Sequence, residues 1–280
     1  MAVVNYSRQY IKQVYRSFTE AYSTYPVRLS PRFEDFQMRL DKLVPDEKLS
    51  AMWMEHDIIT SFMLCTSNLY NGTKTIYNGG TGSIPGKRRL GHVKRIFDYL
   101  IPLMKETDAE QMVLEVITTN DKGLSLYENL GFERKRKVKC YIGKSIIGSS
   151  NSDVTVTMKN EWNPEKYSAI KDFEPLFFDS DHHLKHNLKH ELILEAMYDG
   201  VLAGFVIFQP QLARISQLAV AKIFRGKRVG TTLLNSVEEM SVDRSITVLN
   251  IPEDQVAMHD FLLQTGFVNE IDQYEMELSL

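Results

Sequence analysis

The spacing of hydrophobic residues divides the first half of the chain into helices and strands. Apolar residues recur every three or four positions over Arg89–Lys105, which predicts a helix with one buried face. Ser30 and Pro31 have the residue types of a helix cap and a first-turn proline, and they predict a helix that ends near Leu43. The other predicted elements are a helix over Gln9–Tyr22, strands over Leu49–Met54, Ile58–Cys65, Thr73–Ile84 and Gln111–Ile117, a helix over Lys122–Leu130 and a strand over Phe132–Ile142.

The second half repeats this order of elements. An Arg-rich loop precedes a helix at Arg88 and again at Arg225, and a Gly-Phe pair follows a helix at Gly131 and again at Gly266. The two landmarks lie 43 residues apart in the first half and 41 in the second, which predicts an internal duplication. The predicted elements are strands over Leu192–Met197, Leu202–Phe208 and Arg214–Val220, a helix over Val229–Met240, a strand over Ile246–Ile251, a helix over Asp254–Thr265 and a final strand to Leu278.

A stretch rich in glycine, serine and asparagine, Gly143–Asp153, separates the two halves and predicts a flexible connection. We therefore predict a first domain over residues 1–145, a linker over residues 146–152 and a second domain over residues 153–280. The order of helices and strands predicts an α/β (α+β) fold, in which each domain is a mixed, mostly antiparallel sheet flanked by helices.

The composition argues against some classes of binding partner. The 280 residues carry a formal net charge of −3, whereas bulk nucleic-acid binding requires a strongly basic surface. No apolar run approaches the ~18 residues of a membrane span, and the two cysteines, Cys65 and Cys140, fit a reduced, cytoplasmic setting. We expect no nucleic-acid partner, no membrane partner and no metal, and an assembly that is a monomer or a homodimer. The basic run over residues 134–139 is interpreted as a solvated edge strand.

Both halves place a basic loop that contains glycine directly before the long helix. The first loop runs from Gly82 to Val93 and the second from Val220 to Thr231. Free N–H groups at the start of a helix and the helix dipole favour an anion, and Gly91 lets the backbone approach it closely. The residue order is not that of a Walker loop. The two loops therefore predict phosphate-binding turns of another kind.

With these motifs, the sequence resembles the GNAT superfamily of N-acetyltransferases. The likeness is specific from Gly79 to Phe132 and from Leu218 to Phe267, and tandem GNAT chains are a known arrangement. It implies acetyl-CoA as the acetyl donor and a small-molecule or peptide amine as the acceptor. In the first half the likeness is carried by Arg88-Arg89-Leu90-Gly91-His92-Val93, Leu114-Glu115-Val116, Asn120, Leu126-Tyr127-Glu128 and Leu130-Gly131-Phe132.

The resemblance implies a role for each matching residue of the first half. Tyr127 corresponds to the general acid that protonates the departing thiolate, and Glu115 to the general base of some relatives, with a water as the alternative base. The residue types also allow a packing aromatic at Tyr127 and a helix cap at Asn120. The implied cofactor-binding residues are Thr81, Gly82, Ser83, Arg88, Arg89, Leu90, Gly91, His92, Val93, Lys94 and Asn120.

The segment that corresponds to the family's first two helices contains candidates for the wall of the acceptor pocket. These candidates are Tyr22, Tyr25, Arg28 and Phe33, for which ordinary helix packing is the alternative reading.

The second half keeps the loop but not the reactive groups. Counting back from Gly266, Leu262 stands in place of Tyr127, Asn250 in place of Glu115 and Gln255 in place of Asn120. We therefore predict that this half is catalytically degenerate, although it retains candidate residues for CoA. These are Leu218, Ala219, Val220, Gly226, Lys227, Arg228, Val229, Gly230 and Thr231.

The predicted function is the transfer of an acetyl group from acetyl-CoA to a primary amine by direct attack. One alternative is a CoA-binding regulatory or interaction module without turnover. It is favoured by Val93, which stands where the family has glycine or alanine, and by the degenerate second half. The other alternative is the transfer of a larger acyl group.

Overall fold

The computed structural model of the protein describes residues 2–25, 31–242 and 245–280. In the first half, the helices and strands lie close to where the hydrophobic pattern predicts them. They are β1 (Ala2–Asn5), α1 (Ile11–Tyr22), α2 (Phe33–Leu43), β2 (Ala51–Glu55), β3 (Ile58–Tyr70), β4 (Thr73–Ser83), α3 (His92–Lys105), β5 (Gln111–Ile117), α4 (Asp121–Asn129) and β6 (Glu133–Gly143).

The second half contains the same order of strands with shorter helices at its start. Its elements are β7 (Val154–Lys159), α5 (Pro164–Ser168), α6 (Asp181–His186), β8 (Leu192–Tyr198), β9 (Val201–Gln209), β10 (Arg214–Val220), α7 (Val229–Met240), β11 (Ile246–Pro252), α8 (Val256–Gln264) and β12 (Phe267–Ser279). Within the described part of the chain, no helix has both the length and the apolar character needed to cross a bilayer. The predicted α/β fold of sheets flanked by helices is confirmed.

Four helices, α1, α2, α3 and α8, begin two or three residues later than the sequence predicts. The predicted start of α3 at Arg89 is wrong, because Arg89 and Gly91 have left-handed backbone angles, with φ of 64° and 77°. Such angles cannot continue a right-handed helix, so α3 begins at His92. The helix α2 begins at Phe33 with Arg32 at its cap position, and the predicted cap Ser30 lies outside the described residues.

The chain folds into two compact units, and neither unit is a continuous segment. Unit 1 comprises Met1–Val116, Asn120–Lys135 and Met276–Leu280. Unit 2 comprises Ile117–Thr119 and Arg136–Glu275, so it includes most of β6 and the predicted linker, residues 146–152.

The sheet of unit 1 has the strand order β1-β2-β3-β4-β5. Its first four strands are antiparallel neighbours, and β4 and β5 are parallel. Asn71 and Gly72, with φ of 50° and 81°, make the two-residue turn between β3 and β4, as such hairpins require. The rings of Phe18 in α1 and Phe36 in α2 lie 5.1 Å apart, and Phe18 also packs on Phe62 of β3.

The strands β4 and β5 separate soon after they meet. Their register covers only Thr75–Tyr77 against Gln111–Val113. On its other side, β4 pairs Asn78 with Cys65 and Gly80 with Leu64, which leaves Gly79 as the extra residue of a β-bulge. The bulge bends β4 where its pairing with β5 ends, so the carboxyl ends of the two strands diverge.

The sheet of unit 2 repeats this geometry in the order β12-β6-β11-β10-β9-β8-β7. Its parallel pair is β10 and β11, which register only through Arg214 with Thr247 and Ile215 with Val248. A bulge interrupts the pairing of β10 with β9 between Ile215 and Gln217, so that Ser216 is the extra residue. Unit 2 therefore has the same divergence of two parallel strands.

The interpretation of residues 134–139 as a solvated edge strand is wrong. The strand β6 pairs with β11 along its second half, from Val138 with Pro252 to Gly143 with Ile246. The basic side chains of residues 134–137 form ion pairs, such as Arg136 with Glu275 at 2.6 Å. Most of the acidic partners, including Glu275, are distant in the sequence, which is why the basic run alone suggested a surface exposed to water.

Candidate active site

The hydroxyl group of Tyr127 lies at the bulged end of β4. Asn78 Nδ2 donates to Tyr127 Oη at 3.4 Å and to Thr81 Oγ1 at 2.8 Å. The ring of Tyr127, which α4 carries, is buried and packs edge-on against Phe132 at 5.4 Å. The packing role of Tyr127 is thus present, and its role as the general acid stays a prediction.

The environment of Tyr127 keeps its proton in place. Burial raises the pKa of Tyr127 to about 12, although hydrogen bonds with Thr81 and Asn78 act in the opposite direction. A phenol with this pKa is protonated throughout the neutral range. It can therefore donate a proton to a leaving group, and it is unsuited to act as a base at neutral pH.

Glu115 is the carboxylate closest in the sheet to the point where β4 and β5 part. It lies on β5, two residues beyond Val113, the last residue of β5 that pairs with β4. Tyr77 Oη donates to Glu115 Oε2 at 2.7 Å, which fixes the position of one carboxylate oxygen. Glu115 is half-buried rather than enclosed, so a proton acceptor is held at a defined place next to the divergence.

Two aromatic residues at the end of α1 line the same region. Tyr22 Oη donates to the carbonyl oxygen of Thr81 at 2.9 Å, and the rings of Tyr22 and Tyr25 meet edge-on at 5.0 Å. Burial raises the pKa of both phenols, so both are neutral hydrogen-bonding groups. Of the other candidates for the acceptor wall, Phe33 packs on Tyr15 at 5.2 Å, and Arg28 lies outside the described residues.

Asn120 connects α4 to this aromatic group. Its Oδ1 accepts a hydrogen bond from the Gly123 N–H at 3.1 Å, so Asn120 caps α4. Its Nδ2 donates to Tyr25 Oη at 3.2 Å. The helix-cap role is thus present, and the cofactor contact of Asn120 stays a prediction.

The backbone edge available to a bound molecule is that of Thr81, Gly82 and Ser83. On one side these residues pair with Met63, Phe62 and Ser61 of β3. On the other side β5 has already diverged, since the pairing of β4 with β5 ends at Tyr77. An extended ligand with amide groups fits beside such an open strand edge, because main-chain groups pair with amides as strands do.

The loop before α3 presents the start of that helix. Gly91 occupies the cap position with φ of 77° and has no side chain to cover the helix end. The first N–H groups of an α-helix have no partner within the helix, so those around His92–Lys94 are donors for an anion. Arg89 is exposed beside them.

Arg88, another basic side chain of the loop, holds the loop itself in place. Arg88 donates to the carbonyl oxygens of Ser83 at 3.2 Å and Ala21 at 2.7 Å, and to Thr24 Oγ1 at 2.9 Å. Arg88 thus ties the loop to β4 and to the end of α1. Any contact of Arg88 with a phosphate would need these bonds to rearrange.

Lys87 and His92 converge on Glu55 of β2. Lys87 Nζ pairs with Glu55 Oε2 at 2.5 Å, and His92 Nε2 lies 3.5 Å from Glu55 Oε1. The His92 ring stacks on Trp53 at 4.8 Å, and burial lowers the pKa of His92. The carboxylate of Glu55 therefore anchors both the loop and the first residue of α3, which leaves backbone N–H groups as the main donors for phosphate.

The second half has the same loop geometry. Arg225 Nε donates to the carbonyl oxygen of Val220 at 3.3 Å, as Arg88 does to that of Ser83. The residue before α7, Arg228, has φ of 59°, where α3 is preceded by Gly91. The predicted alignment of the two loops is therefore reflected in their backbone conformation.

A narrow cleft follows the divergence of β10 and β11 in unit 2. The candidate residues Leu218 and Ala219 line it from β10, and Asn250 lines it from β11. Asn250 Oδ1 accepts a hydrogen bond from Gln273 at 2.8 Å, and Leu262 is fully buried. Neither of these side chains has an ionisable group that could take the roles that the sequence predicts for Tyr127 and Glu115.

Sequence reasoning missed Asn78 and Tyr77, which hold the two candidate reactive groups. Asn78 directly precedes the Gly79-Gly80 pair, and a polar residue next to a bulge signal was the available sign. No feature of the sequence marks Tyr77, because its contact with Glu115 depends on the register of β4 against β5.

Comparison with known proteins agrees with this geometry. Residues 155–267 match the family model described as the acetyltransferase (GNAT) family. The chain is 24% identical to N-alpha-acetyltransferase 30 of Schizosaccharomyces pombe (strain 972) over 147 residues, which cover 50% of this chain and 89% of that protein.

Two solved structures resemble the chain along nearly its whole length. A tandem GNAT protein from the clavulanic acid biosynthesis pathway has a TM-score of 0.74 at 14% identity, covering 99% of this chain and 98% of that chain. A putative acetyltransferase from Pyrococcus horikoshii has a TM-score of 0.74 at 15% identity, covering 100% of this chain and 89% of that one. At these identities the likeness shows the fold, and it extends over both halves.

Proposed function

We propose that this chain, of which residues 155–267 match the acetyltransferase (GNAT) family, transfers an acetyl group from acetyl-CoA to a primary amine in unit 1. The observation that carries the proposal is the placement of Tyr127. Its protonated hydroxyl lies at the bulged end of β4, beside an open strand edge, with Glu115 on the adjacent strand. Direct aminolysis of a thioester requires an acid and a base close together, and here both candidates lie where β4 and β5 diverge.

The residues of unit 1 fit the parts of a CoA thioester. The start of α3, with Gly91 in a left-handed conformation, offers N–H donors for a diphosphate. The open edge at Thr81–Ser83 suits the two amides of pantetheine, and one N–H there would polarise the thioester carbonyl. When bound, acetyl-CoA supplies an activated acetyl carbon and a thiolate leaving group.

The remaining chemistry falls to side chains of the protein. The lone pair of the neutral amine attacks the acetyl carbon, and Glu115, directly or through a water, accepts the proton that the nitrogen then releases. A new N–C bond forms as the C–S bond breaks. Tyr127 then gives its proton to the sulfur, and no covalent enzyme intermediate is required.

The acceptor that we propose to test first is the N-terminal amine of a peptide. This choice follows the name of the S. pombe relative, N-alpha-acetyltransferase 30. The half-buried Tyr22 and Tyr25 beside Thr81 are neutral aromatic groups suited to pack against the first side chain of a peptide. Small-molecule amines form the second group of acceptors to test.

Unit 2, on this proposal, performs no transfer. Leu262 and Asn250 replace the acid and the base there, and the candidate CoA-binding residues of its loop stay a prediction. We further expect the protein to act as a monomer or a homodimer.

The decisive experiment measures acetyl-CoA binding by calorimetry and acetylated product by mass spectrometry, with a panel of peptides and small amines. Tyr127→Phe and Glu115→Gln are each expected to lower kcat by about 10²–10⁴-fold while acetyl-CoA still binds. Tyr99→Phe is the matched control, since Tyr99 is exposed and its Oη donates to Asn5 Oδ1 at 2.6 Å.

Two outcomes would replace this proposal. Tight binding of acetyl-CoA without product across the panel would favour the regulatory or interaction module. Product formed only from longer acyl-CoA esters would favour the transfer of a larger acyl group.

A further inference from the structure

The bulges of β4 and β10 occupy equivalent positions in the two units. Arg88 bonds to the carbonyl oxygen of Ser83, and Arg225 bonds to that of Val220, so each arginine reaches back by the same number of residues. Gly79 lies four residues before Ser83, and Ser216 lies four residues before Val220, so the two bulged residues are equivalent. The residue after the bulge is then Gly80 in unit 1 and Gln217 in unit 2.

Gly80 borders open space on the helix-covered face of β4. A methyl group added at Gly82 would contact Ala21 of α1, and one added at Gly79 would contact Leu43 of α2. Gly80 presents the same face as Gly82, two residues away, yet a methyl group added there meets no atom of the described residues within 4 Å. None of the residues that the structure describes therefore covers the bulge of unit 1 at this position.

In unit 2 the same position is filled. The Gln217 side chain is 5% exposed, and its Nε2 donates to the Asp179 carbonyl oxygen at 2.7 Å and to Asp181 Oδ1 at 2.9 Å. Its neighbours extend this cover, since Arg214 makes a two-bonded ion pair with Asp179, and Ser216 Oγ donates to Glu191. A buried polar network thus occupies the position equivalent to Gly80, on the wall of the cleft in unit 2.

The candidate base lies on the same face of β4 as Gly80, and the candidate acid contacts the opposite face. Tyr77, which bonds to Glu115, is two residues before Gly79 and so shares the face that α2 covers. The hydroxyl of Tyr127 contacts Asn78, the residue between Tyr77 and Gly79, which points to the opposite face. An amine that arrives over Gly80 would therefore meet the base, while the leaving thiolate would face the acid.

We propose that Gly80 is a specificity-determining residue, because its missing side chain is the passage through which the acceptor amine reaches the acetyl group in unit 1. This inference rests on the proposed acetyl transfer. The passage has the width of one absent side chain, so it suits a primary amine on an extended chain, such as the first residue of a peptide. Gln217 closes the equivalent passage in unit 2, which would exclude an acceptor there independently of the missing acid and base.

The test is Gly80→Gln, which introduces into unit 1 the residue that unit 2 contains. Gly80 is not among the residues with positive φ, and the space beside it is open, so the variant should fold. We expect wild-type affinity for acetyl-CoA in calorimetry and a loss of about 100-fold in acetylation of a synthetic peptide with a free N-terminus. Lys74→Gln, at the exposed start of β4, is the matched control and should behave as wild type.

Gly80→Ala supplies a graded change. It should raise KM for the peptide more than it lowers kcat, because a methyl group narrows the passage without filling it. If Gly80→Gln proves unfolded in a thermal melt, an unchanged peptide KM in Gly80→Ala overturns the inference. It is also overturned if Gly80→Gln acetylates the peptide at the wild-type rate, or if Lys74→Gln loses as much activity. Failure of the proposed transfer itself would appear separately, as absence of product with the wild-type protein.

Discussion

The hydroxyl of Tyr127 illustrates how burial at a single residue couples chemistry to stability. The same removal from water that keeps the phenol protonated also disfavours its anion in the folded protein, so the pKa rises to about 12 from an ordinary value of 10.0. The Asn78 and Thr81 hydrogen bonds are too weak to reverse this effect. A proton donor for a thiolate is thus obtained without any charged neighbour.

This shift predicts a specific loss of stability at high pH. Between pH 10 and pH 12 the unfolded chain releases the Tyr127 proton and the folded protein keeps it, so the stabilisation present below pH 10 is lost as pH rises. The full difference corresponds to roughly 3 kcal/mol. Urea unfolding of wild type and Tyr127→Phe at pH 8 and pH 11 should show a smaller loss in the variant. Equal losses would contradict the assigned pKa, and Tyr99→Phe should lose as much as wild type.

The candidate reactive residues follow from the sequence, and the contacts that hold them do not. Tyr127 and Glu115 were indicated by the resemblance in spacing alone. Asn78, Tyr77 and Gly80 owe their roles to strand register and to a bulge, which set the residue that each one faces. Hydrophobic periodicity identifies a strand but contains no information about its register.

At the scale of elements, the loop before α3 depends on a buried carboxylate in a neighbouring strand. Glu55 holds Lys87 and lies beside His92, and both flank the N–H groups proposed to bind the diphosphate. The bond with Lys87 lowers the pKa of Glu55, so the carboxylate is ionised at neutral pH. The loop is therefore held in its shape before any ligand binds.

Glu55→Gln is predicted to raise KM for acetyl-CoA by about tenfold, because an unpaired Lys87 costs roughly 1.4 kcal/mol of preorganisation in the loop. The value of kcat should change little, since Glu55 does not touch the reacting groups. Steady-state kinetics with varied acetyl-CoA measures both parameters. Asp108→Asn, which breaks the exposed ion pair of Lys74, is the control and should leave KM unchanged. An unchanged KM in Glu55→Gln would show that the loop is held by other contacts.

Most elements could be predicted because their apolar spacing is strong, and the exceptions are the short helices α5 and α6 and two short outer strands. The strand β1 ends the strand order of unit 1 and β7 ends that of unit 2, and neither was predicted. Four to six residues of mixed polarity give a weak pattern, and their conformation is set by pairing with β2 and β8. The late start of α3 likewise follows from backbone angles at Arg89 and Gly91 that residue types did not reveal.

At the scale of the whole molecule, the repeat in the sequence and the units in space do not have the same boundaries. The repeat predicts a division at residues 146–152, yet unit 1 includes Met276–Leu280 and unit 2 includes Arg136–Gly143. Each unit thus contains strand residues from the far side of the predicted linker. The pattern that reveals a strand does not reveal its partner, so this exchange could not be predicted from the sequence.

This exchange predicts that neither half folds alone when the chain is divided at the linker. A fragment of residues 1–145 lacks the end of β12, which supplies Glu277 to Lys135 at 3.0 Å and the Leu280 N–H to the Glu110 carbonyl oxygen at 3.0 Å. A fragment of residues 153–280 lacks β6 and leaves the edge of β11 unpaired, an arrangement prone to aggregation.

We expect each purified fragment to show no cooperative thermal transition by circular dichroism, and the two co-expressed fragments to purify together and melt as one species. The matched control is the full chain with a protease site introduced within residues 146–152. After cleavage, both pieces are present and every strand retains its partner, so the nicked protein should keep a cooperative transition close to that of the intact chain. A fragment of residues 1–145 that melts cooperatively near the temperature of the full chain would show that residues 276–280 are dispensable. Unit 1 would then be a continuous domain with the boundary that the repeat predicts.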